Sequence, residues 1–396
     1  MYNLLITMSG GTTTVINATL AGVIKKVQES SLIDKIYAGV PGITGVLEDN
    51  LVEISSLTEH DLIKLKRTPS SGIIGTTRVK QFDKDELTIF RKQLKKYNIT
   101  YFINIGGNGT IKQTKYLVNN IEGLKAISLP KTVDNDLGDD LLEDMYFTPG
   151  FPSVVNYWMH KLYMLNNENL GASSHDKVLI AQTFGRDTGF IAGAVRVADP
   201  HRKLPLLILL PEDQKDINEV IDAIKKTIVK FGRAIVVMAE GYNIGDVGEV
   251  NDYSGQVMFS SSKNLAAQLL VNKCIENGIQ ARAFIPGIDQ RSDITFTTNF
   301  DIDCSYNLGK YAIEELEKGY FNFLVGIVNK GKQIQYKRIE YSSFENLSRN
   351  LDNKFIKKNE FDVSNEYLEY LENIIDDRKH LIIDEELTID SFFRIK

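Results

Sequence analysis

Two short stretches of this chain carry residue types that suit phosphoryl-group chemistry. The first is GGNGT at 106–110, where successive glycines let backbone N–H groups approach an anion and the following helical pattern adds its positive end. The second is PKTVDND at 130–136, which places a lysine, a threonine and two carboxylates in one loop. A tight turn and a solvated charged loop are the simpler interpretations, but both stretches indicate a binding site for phosphate groups.

The second loop offers the groups that are needed to move a phosphoryl group. Asp134 could take a proton from a hydroxyl nucleophile, and Asp136 could hold Mg²⁺ through oxygen. Lys131 could neutralise phosphoryl oxygens, and Thr132 could donate a hydrogen bond to them. The loop follows the next predicted strand after GGNGT, so neighbouring parallel strands would bring both loops to one rim.

Charged residues also lie at or near the ends of other predicted strands. They occur in Gly185–Arg186 and Glu240–Gly241, and as the pair Arg282 and Arg291. An arginine binds phosphate through two parallel hydrogen bonds, and a glutamate suits sugar hydroxyls. Each alone could be a surface charge, but together they indicate a phosphorylated polyol as ligand.

The elements that must position these loops can be predicted from short apolar runs, each followed by a turn and often by a helical pattern. The runs lie at 3–8, 101–105, 124–129, 177–184, 206–210, 233–239 and 281–285. Strands alternating with helices predict an α/β fold with parallel sheets covered on both faces. Ligands bind beyond the carboxyl ends of such strands, which is where the polar turns lie.

Composition excludes several classes of protein. Of the 396 residues, 43% are hydrophobic and 25% are charged, and the net charge of −6 speaks against broad nucleic-acid binding. Cys274 and Cys304 are too few for a disulfide framework. The most apolar run, 204–210, is far shorter than the ~20 residues of a membrane-spanning helix. We therefore expect a cytoplasmic protein with no nucleic-acid or membrane partner.

The motifs, in this order, resemble the phosphofructokinase family, particularly its long pyrophosphate-type branch. The resemblance covers roughly residues 1 to 330 and rests on SGGTTTVINATLAGV at 9–23, TPSSGIIGTTRVK at 68–80, IGGNGT at 105–110, PKTVDND at 130–136, TPGF at 148–151, FGRDTG at 184–189, AEG at 239–241 and R-x8-R at 282–291. It implies two Rossmann-like domains with the active site in the cleft between them. It also implies phosphoryl transfer to the 1-hydroxyl of fructose 6-phosphate.

The resemblance implies roles for individual residues. Asp134 matches the base toward the sugar 1-hydroxyl, and Asp136 matches the aspartate that supports the metal and the transferring phosphoryl group. Thr132 matches a contact to that phosphoryl group, Arg186 the arginine that stabilises transition-state charge, and Glu240 a contact to sugar hydroxyls. The other matched donor-binding residues are Gly11, Arg78, Gly107, Asn108, Gly109 and Thr110. The other matched sugar-phosphate-binding residues are Phe184, Gly185, Lys177, Arg282 and Arg291.

The resemblance also implies a metal and an assembly. Mg²⁺ would be held by Asn108 and Asp136. In the family, the residue matched by Arg282 is supplied by a neighbouring subunit, which implies a homodimer or homotetramer with a shared active site. Asn108 stands where ATP-type members have an aspartate, so we expect weak metal affinity. Phe184 and Ile288 also depart from the usual sugar pocket, and another sugar phosphate, such as sedoheptulose 7-phosphate, remains open.

Two positions bear on the phosphoryl donor. Pyrophosphate-type members pair an aspartate at the position of Gly109 with the lysine matched by Lys131. ATP-type members have glycine at the first position and usually glycine at the second, so this chain is a hybrid. An aspartate at 109 would repel a nucleotide's α-phosphate, and Gly109 removes that obstacle. We therefore expect ATP as donor, with pyrophosphate as the alternative. A weakened sugar-phosphate-binding or regulatory homologue is a further alternative, whereas an NAD-kinase or lipid-kinase relative conflicts with PKTVDND.

We expect three units along the chain. Residues 1–147 with about 290–335 would form the donor-binding α/β domain, and residues 148–289 the sugar-phosphate-binding domain. The first boundary rests on the two prolines within 145–156. Residues 336–396 would form a charged C-terminal extension, because the sequence becomes strongly charged and poor in glycine from Lys332 onward.

Overall fold

The computed structural model describes residues 2–70, 72–78, 81–251, 255, 257–259, 263–331, 333–343 and 348–375. Outside these ranges lie residues 71, 79 and 80 of the motif at 68–80, and residues 344–347 and 376–396 of the predicted C-terminal extension. The described residues form two largely parallel sheets with helices between most of their strands, and antiparallel pairs lie at the edges of the first sheet. This confirms the predicted α/β class.

Strands and helices alternate through most of the chain. The strands are β1 Tyr2–Met8, β2 Ile33–Gly39, β3 Leu51–Glu53, β4 Ile99–Gly106, β5 Lys125–Pro130, β6 Val178–Thr183, β7 Leu206–Leu209, β8 Ala234–Ala239, β9 Ala281–Phe284, β10 Phe323–Lys330, β11 Gln333–Glu340, β12 Ile356–Lys357 and β13 Asp362–Val363. The α-helices are α1 Ile16–Gln28, α2 Gly42–Leu47, α3 Glu59–Lys66, α4 Lys84–Lys96, α5 Asn108–Asn120, α6 Phe151–Ala172, α7 Phe190–Ala194, α8 Ile217–Phe231, α9 Ala266–Glu276, α10 Asp289–Ser292, α11 Asn299–Glu317 and α12 Asn365–Glu372.

The strands form two main sheets. The first has the order β11–β10–β5–β4–β1–β2–β3, and its central pairs β5–β4, β4–β1 and β1–β2 are parallel. The second has the order β7–β8–β6–β9 and is parallel throughout the described residues. In each sheet the parallel strands end on the same side, so the turns that follow them converge there.

Strand burial explains why the apolar runs are continuous. Every residue of β8, and every residue of β1 after the first, is buried because helices cover both sheet faces. Close packing of α1 against α11 needs glycine. A Cβ on Gly22 would lie 1.9 Å from the carbonyl oxygen of Tyr306, and one on Gly309 would lie 2.2 Å from that of Thr19.

Helix α6 connects the first sheet to the second, and its start is fixed by a buried carboxylate. Gly150, with φ +104°, precedes the helix, and its N–H donates to Asp301 Oδ1 at 3.1 Å. The N–H and hydroxyl of Ser153 also donate to Asp301, at 3.2 and 2.6 Å. These bonds satisfy N–H groups that the first turn of a helix leaves without backbone partners.

The described part of the chain beyond residue 336 packs against both sheets. β11 continues the first sheet to Glu340 by pairing with β10. Asp362 forms ion pairs of 2.8 Å with Arg196 and Arg202, which lie between β6 and β7 of the second sheet. The three domain boundaries given above remain predictions. No helix in the described ranges is both long and apolar enough to cross a membrane.

Candidate active site

A cleft of about 200 Å³ lies where the carboxyl ends of strands from both sheets face each other. Its walls come from the turns after β1, β4 and β5 of the first sheet and after β6 and β8 of the second. The predicted site residues that line it are Gly11, Arg78, Gly107, Asn108, Gly109, Thr110, Lys131, Thr132, Asp134, Asp136, Phe184, Arg186, Glu240 and Arg291. The roles of these residues remain predictions.

The register of β4 and β5 brings the glycine loop and the DND loop together. Gly106 pairs with Pro130, and the N–H of Lys131 donates to the carbonyl oxygen of Gly106 at 3.0 Å. A Cβ on Gly106 would lie 2.1 Å from Thr110 Oγ1, so the tight entry into α5 requires glycine. The first N–H groups of α5 therefore face the same cleft as Asp134 and Asp136.

Burial in the cleft makes its carboxyl groups weaker acids. The pKa of Asp134 is raised to about 6, mainly by desolvation and also by the nearby Asp136, while Arg186 and Arg291 oppose the shift. Desolvation, with a contribution from Asp134, raises the pKa of Glu240 to about 8. The pKa of Asp136 is also raised by burial, against the hydrogen bond from Thr132. At neutral pH the site therefore holds an ionised Asp134 beside a protonated Glu240.

The same burial weakens the cations. Desolvation, followed by repulsion from Arg291, lowers the pKa of Lys131 to about 7. Lys131 Nζ donates to the carbonyl oxygen of Gly11, so the lysine joins the DND loop to the turn after β1. Gly11 also allows Arg291 to approach, because a Cβ there would lie 2.7 Å from its guanidinium. The negative charge of a bound phosphate would favour the charged forms of Lys131 and Arg291.

The residues of the cleft fit a Mg²⁺ ion that is bound largely through phosphates. Asn108 Oδ1 is a buried acceptor that has no hydrogen-bond partner among the described residues, while Asn108 Nδ2 donates to Ser348 Oγ at 2.9 Å. Asp136 lines the same cleft. Within the described ranges, no three histidine, cysteine, aspartate or glutamate residues form a metal cluster. Mg²⁺ commonly uses one or two protein oxygens together with substrate phosphates and water.

Among the described residues, three predicted site residues do not line the cleft. Gly185 shapes the turn after β6, where it has φ +104° and a Cβ would lie 2.4 Å from the carbonyl oxygen of Thr188. Lys177 and Arg282 lie at the opposite, amino-terminal side of the second sheet, since Lys177 precedes β6 and Arg282 pairs with Leu179. The side chain of Arg282 is 64% exposed, with its Nε 2.5 Å from Asp176 Oδ2.

The sequence interpretation missed other residues of the cleft. Thr12 and Thr13 line it, and the threonine run after Gly11 was the available signal, because hydroxyls beside a glycine turn suit phosphate oxygens. Val257, Met258 and Phe259 also line it from the connection between β8 and α9. No spacing or periodicity marked those three residues. Asn135 and its C-terminal partners were missed as well, because they lie more than 200 positions apart in the chain.

Comparison with known proteins finds relatives that cover most of this chain. The phosphofructokinase family model matches residues 3–316. The chain is 28% identical over 386 residues to pyrophosphate–fructose 6-phosphate 1-phosphotransferase of Rhodospirillum rubrum, covering 93% of each chain. It is 26% identical over 352 residues to ATP-dependent 6-phosphofructokinase of a Sulfurihydrogenibium species, covering 86% of this chain and 96% of the relative.

A solved structure gives the same result. The crystal structure of pyrophosphate-dependent phosphofructokinase from Nitrosospira multiformis matches with a TM-score of 0.84 and 27% sequence identity, covering 95% of this chain and 92% of that one. The predicted phosphofructokinase-like fold is therefore confirmed. On the family match and the fold, this chain is a member of the phosphofructokinase family.

Proposed function

We propose that this protein transfers a phosphoryl group from diphosphate to the 1-hydroxyl of fructose 6-phosphate, giving fructose 1,6-bisphosphate. The observation that carries the proposal is one cleft lined by Asp134, Asp136, Lys131, Arg186 and the glycine loop. The expectation of ATP as the favoured donor is not supported. Several of the similar relatives are named as pyrophosphate-dependent enzymes, and so is the protein in the solved structure. The alternative stated for the donor fits these comparisons better.

On the sugar side, the proposed reaction begins with proton removal. Asp134, ionised above pH 6, accepts the proton of the 1-hydroxyl as its oxygen forms a bond to the donor phosphorus. Glu240, protonated below about pH 8, can donate a hydrogen bond to another sugar oxygen. Arg291 lies in the same cleft and supplies a fork of donors for the sugar phosphate.

On the donor side, the bond between the transferred phosphorus and the leaving phosphate breaks. Lys131 and Arg186 lie where they would stabilise the negative charge that moves onto the leaving group. The N–H groups at the start of α5 would hold the donor oxygens. Asp136 and Asn108 would hold Mg²⁺, which supplies further neutralisation of those oxygens when it is bound.

One feature favours ATP as a second candidate donor. A Cβ on Gly109 would have no atom of the described residues within 4 Å, so the glycine loop is open toward them at this position. A nucleotide's α-phosphate and sugar extend further than diphosphate and would need such open space. The relatives also include ATP-dependent 6-phosphofructokinases.

A coupled assay tests the proposal directly. Fructose 6-phosphate is supplied with magnesium diphosphate or with magnesium ATP, and the formation of fructose 1,6-bisphosphate is measured. In the reverse direction, the consumption of fructose 1,6-bisphosphate is measured. We expect higher kcat/KM with diphosphate and measurable reversal when phosphate is added to the bisphosphate. Turnover with ATP alone would overturn the choice of donor. No turnover with either donor, combined with micromolar binding of fructose 6-phosphate, would replace the enzyme by a regulatory homologue.

We also propose that Lys177 and Arg282 serve the cleft of a second copy of this chain. Their position on the far side of the second sheet, and the exposure of Arg282, support a contact across subunits. The test mixes inactive Asp134→Asn protein with Arg282→Ala protein under conditions that exchange subunits. Recovered activity supports a shared site. No recovery in mixed oligomers that are verified by mass would overturn it.

A further inference from the structure

The middle residue of the DND loop has an unusual conformation. Asn135 lies between the two cleft aspartates, is fully buried and has φ +57°. Asparagine tolerates this left-handed region better than most residues other than glycine, but the conformation still needs support from its surroundings. The backbone at Asn135 sets the directions in which Asp134 and Asp136 leave the loop. Whatever holds Asn135 therefore also orients both carboxylates.

Arg349 holds Asn135 from a distant part of the chain. Its Nη2 donates to Asn135 Oδ1 at 2.7 Å and its Nε donates to the carbonyl oxygen of Asn135 at 2.8 Å. Its backbone N–H donates to the carbonyl oxygen of Asp136 at 2.8 Å. The same guanidinium also donates to the carbonyl oxygens of Met145 and Asp139, and the residue is only 1% exposed.

Two further residues complete this support. Tyr370 Oη accepts a hydrogen bond from Asn135 Nδ2 at 3.0 Å and donates to the carbonyl oxygen of Tyr146 at 2.9 Å. Ser348 pairs with Leu137 just beyond the DND loop, and its Oγ accepts the 2.9 Å bond from Asn108 Nδ2. Ser348, Arg349 and Tyr370 are called the C-terminal brace from here on.

The bond to Ser348 fixes the orientation of the Asn108 amide. With Nδ2 bound to Ser348, Oδ1 is the amide atom that no described residue bonds, and it lies in the cleft wall. The uncharged amide of Asn108 can bind a cation only through Oδ1, so its use as a ligand depends on that orientation. Since Ser348 contacts the glycine loop and Arg349 contacts the DND loop, two consecutive residues connect both sides of the donor site.

We propose that the C-terminal brace is a set of positioning residues that orients Asp134 and Asp136 for phosphoryl transfer and Asn108 for the metal-bound donor. The inference rests on the proposed function for its kinetic readout, but its contacts do not depend on the identity of the donor. The brace is thus part of the active-site support, although it touches no reacting atom.

The first experiment separates positioning from stability. Arg349→Lys keeps the charge and loses the pair of guanidinium hydrogen bonds to Asn135. Tyr370→Phe removes the hydroxyl group that bonds to Asn135. We expect kcat to fall about 10- to 100-fold for the first and about 2- to 10-fold for the second, with KM for fructose 6-phosphate changed less than threefold. Tyr370→Phe keeps the packing of the ring, so it remains informative where the lysine variant folds poorly.

The matched control is Arg202→Met. Arg202 anchors the same C-terminal segment through its 2.8 Å ion pair with Asp362 but lies outside the cleft lining. We expect this variant to lower the melting temperature while kcat stays within twofold of wild type. If Arg202→Met lowers kcat as much as Arg349→Lys does, or if neither brace variant lowers kcat, the positioning role is refuted.

The second experiment has a readout other than turnover. Ser348→Ala frees the Asn108 amide, and we expect magnesium diphosphate to bind about 2- to 10-fold more weakly by calorimetry, with unchanged binding of fructose 6-phosphate. Unchanged binding of magnesium diphosphate would refute the part of the inference that concerns Asn108. Wild-type protein that binds both ligands but turns over neither donor would refute the proposed function alone, since this calorimetric comparison would still decide the role of Ser348.

Discussion

The two loops that face each other across the donor site are held very differently. The DND loop is fixed through the buried Asn135, whose side chain and carbonyl group bond to Arg349, Tyr370 and Thr148. In the part of the chain that the structure describes, the glycine loop is held through the side chain of Asn108, which bonds to Ser348, and a Cβ at Gly109 would meet no atom within 4 Å. One loop is therefore rigid in its centre, and the other is open at its tip.

This difference matches the chemistry that we propose for each loop. A catalytic base must stay within hydrogen-bond distance of the hydroxyl that it deprotonates, and small displacements are costly. A donor-binding loop offers backbone N–H groups to a diphosphate or nucleotide and can change its selectivity through one position. We therefore expect changes in the DND loop to affect kcat and changes in the glycine loop to affect donor and metal binding.

The largest effect is expected on the rigid side, from Asp134→Asn. Removing the base should lower kcat about 10²- to 10⁴-fold, measured in the coupled assay with saturating substrates. Thermal unfolding should show no loss of stability, because a neutral amide replaces a carboxylate that is costly to bury. The control is Asp140→Asn, an exposed residue of the same region. A kcat within threefold of wild type would contradict the role of Asp134.

The next effect concerns the open side. Gly109→Asp should lower kcat/KM for ATP about 100-fold, because the new carboxylate would lie near the α-phosphate, and should change kcat/KM for diphosphate less than threefold. Where ATP is not turned over, its inhibition constant against diphosphate gives the same comparison. Gly109→Ala adds the Cβ without charge and should affect neither donor. Equal losses for both donors in Gly109→Asp would show that the loop is not open as described.

The pH dependence of activity should report the titration of both Asp134 and Lys131. Activity, measured as kcat/KM, should rise as Asp134 loses its proton near pH 6, and fall above about pH 7 as Lys131 loses its own. Each limb should approach a tenfold change per pH unit. Lys131→Arg stays charged and should move the start of the alkaline fall from about pH 7 to about pH 8, where Glu240 loses its proton, while leaving the acid limb in place. An acid limb that persists in Asp136→Asn, moved to lower pH because the neighbouring charge is gone, but is absent in Asp134→Asn would assign it to Asp134.

The smallest effect is expected from Asn108→Asp. A carboxylate at this position adds charge to the proposed Mg²⁺ ligands, so the magnesium concentration for half-maximal activity should fall about three- to tenfold. Asn108→Ala removes the ligand and should raise that concentration. Titration of turnover with Mg²⁺ at fixed diphosphate measures both. If wild type already saturates at the same magnesium concentration as the aspartate variant, the predicted weak metal affinity is wrong.

Residues close together in the chain could be predicted to share the site. The apolar runs before GGNGT and PKTVDND predict adjacent strands, and parallel pairing of β4 with β5 brings the two loops together. The same logic misses residues whose contact depends on sequence-distant packing. Lys177 and Arg282 match family residues, yet the fold of one chain leaves them on the far side of the second sheet.

The sequence by itself determined the chemistry available at each loop, because glycine turns and closely spaced carboxylates act through local geometry. Only the tertiary structure decided what supports those loops. Arg349 is separated from Asn135 by 214 positions and Ser348 from Asn108 by 240, and no periodicity relates residues so far apart. These contacts arise because the C-terminal segment packs against both sheets. That packing brings the guanidinium of Arg349 to Asn135, whose left-handed backbone conformation local residues alone would leave strained.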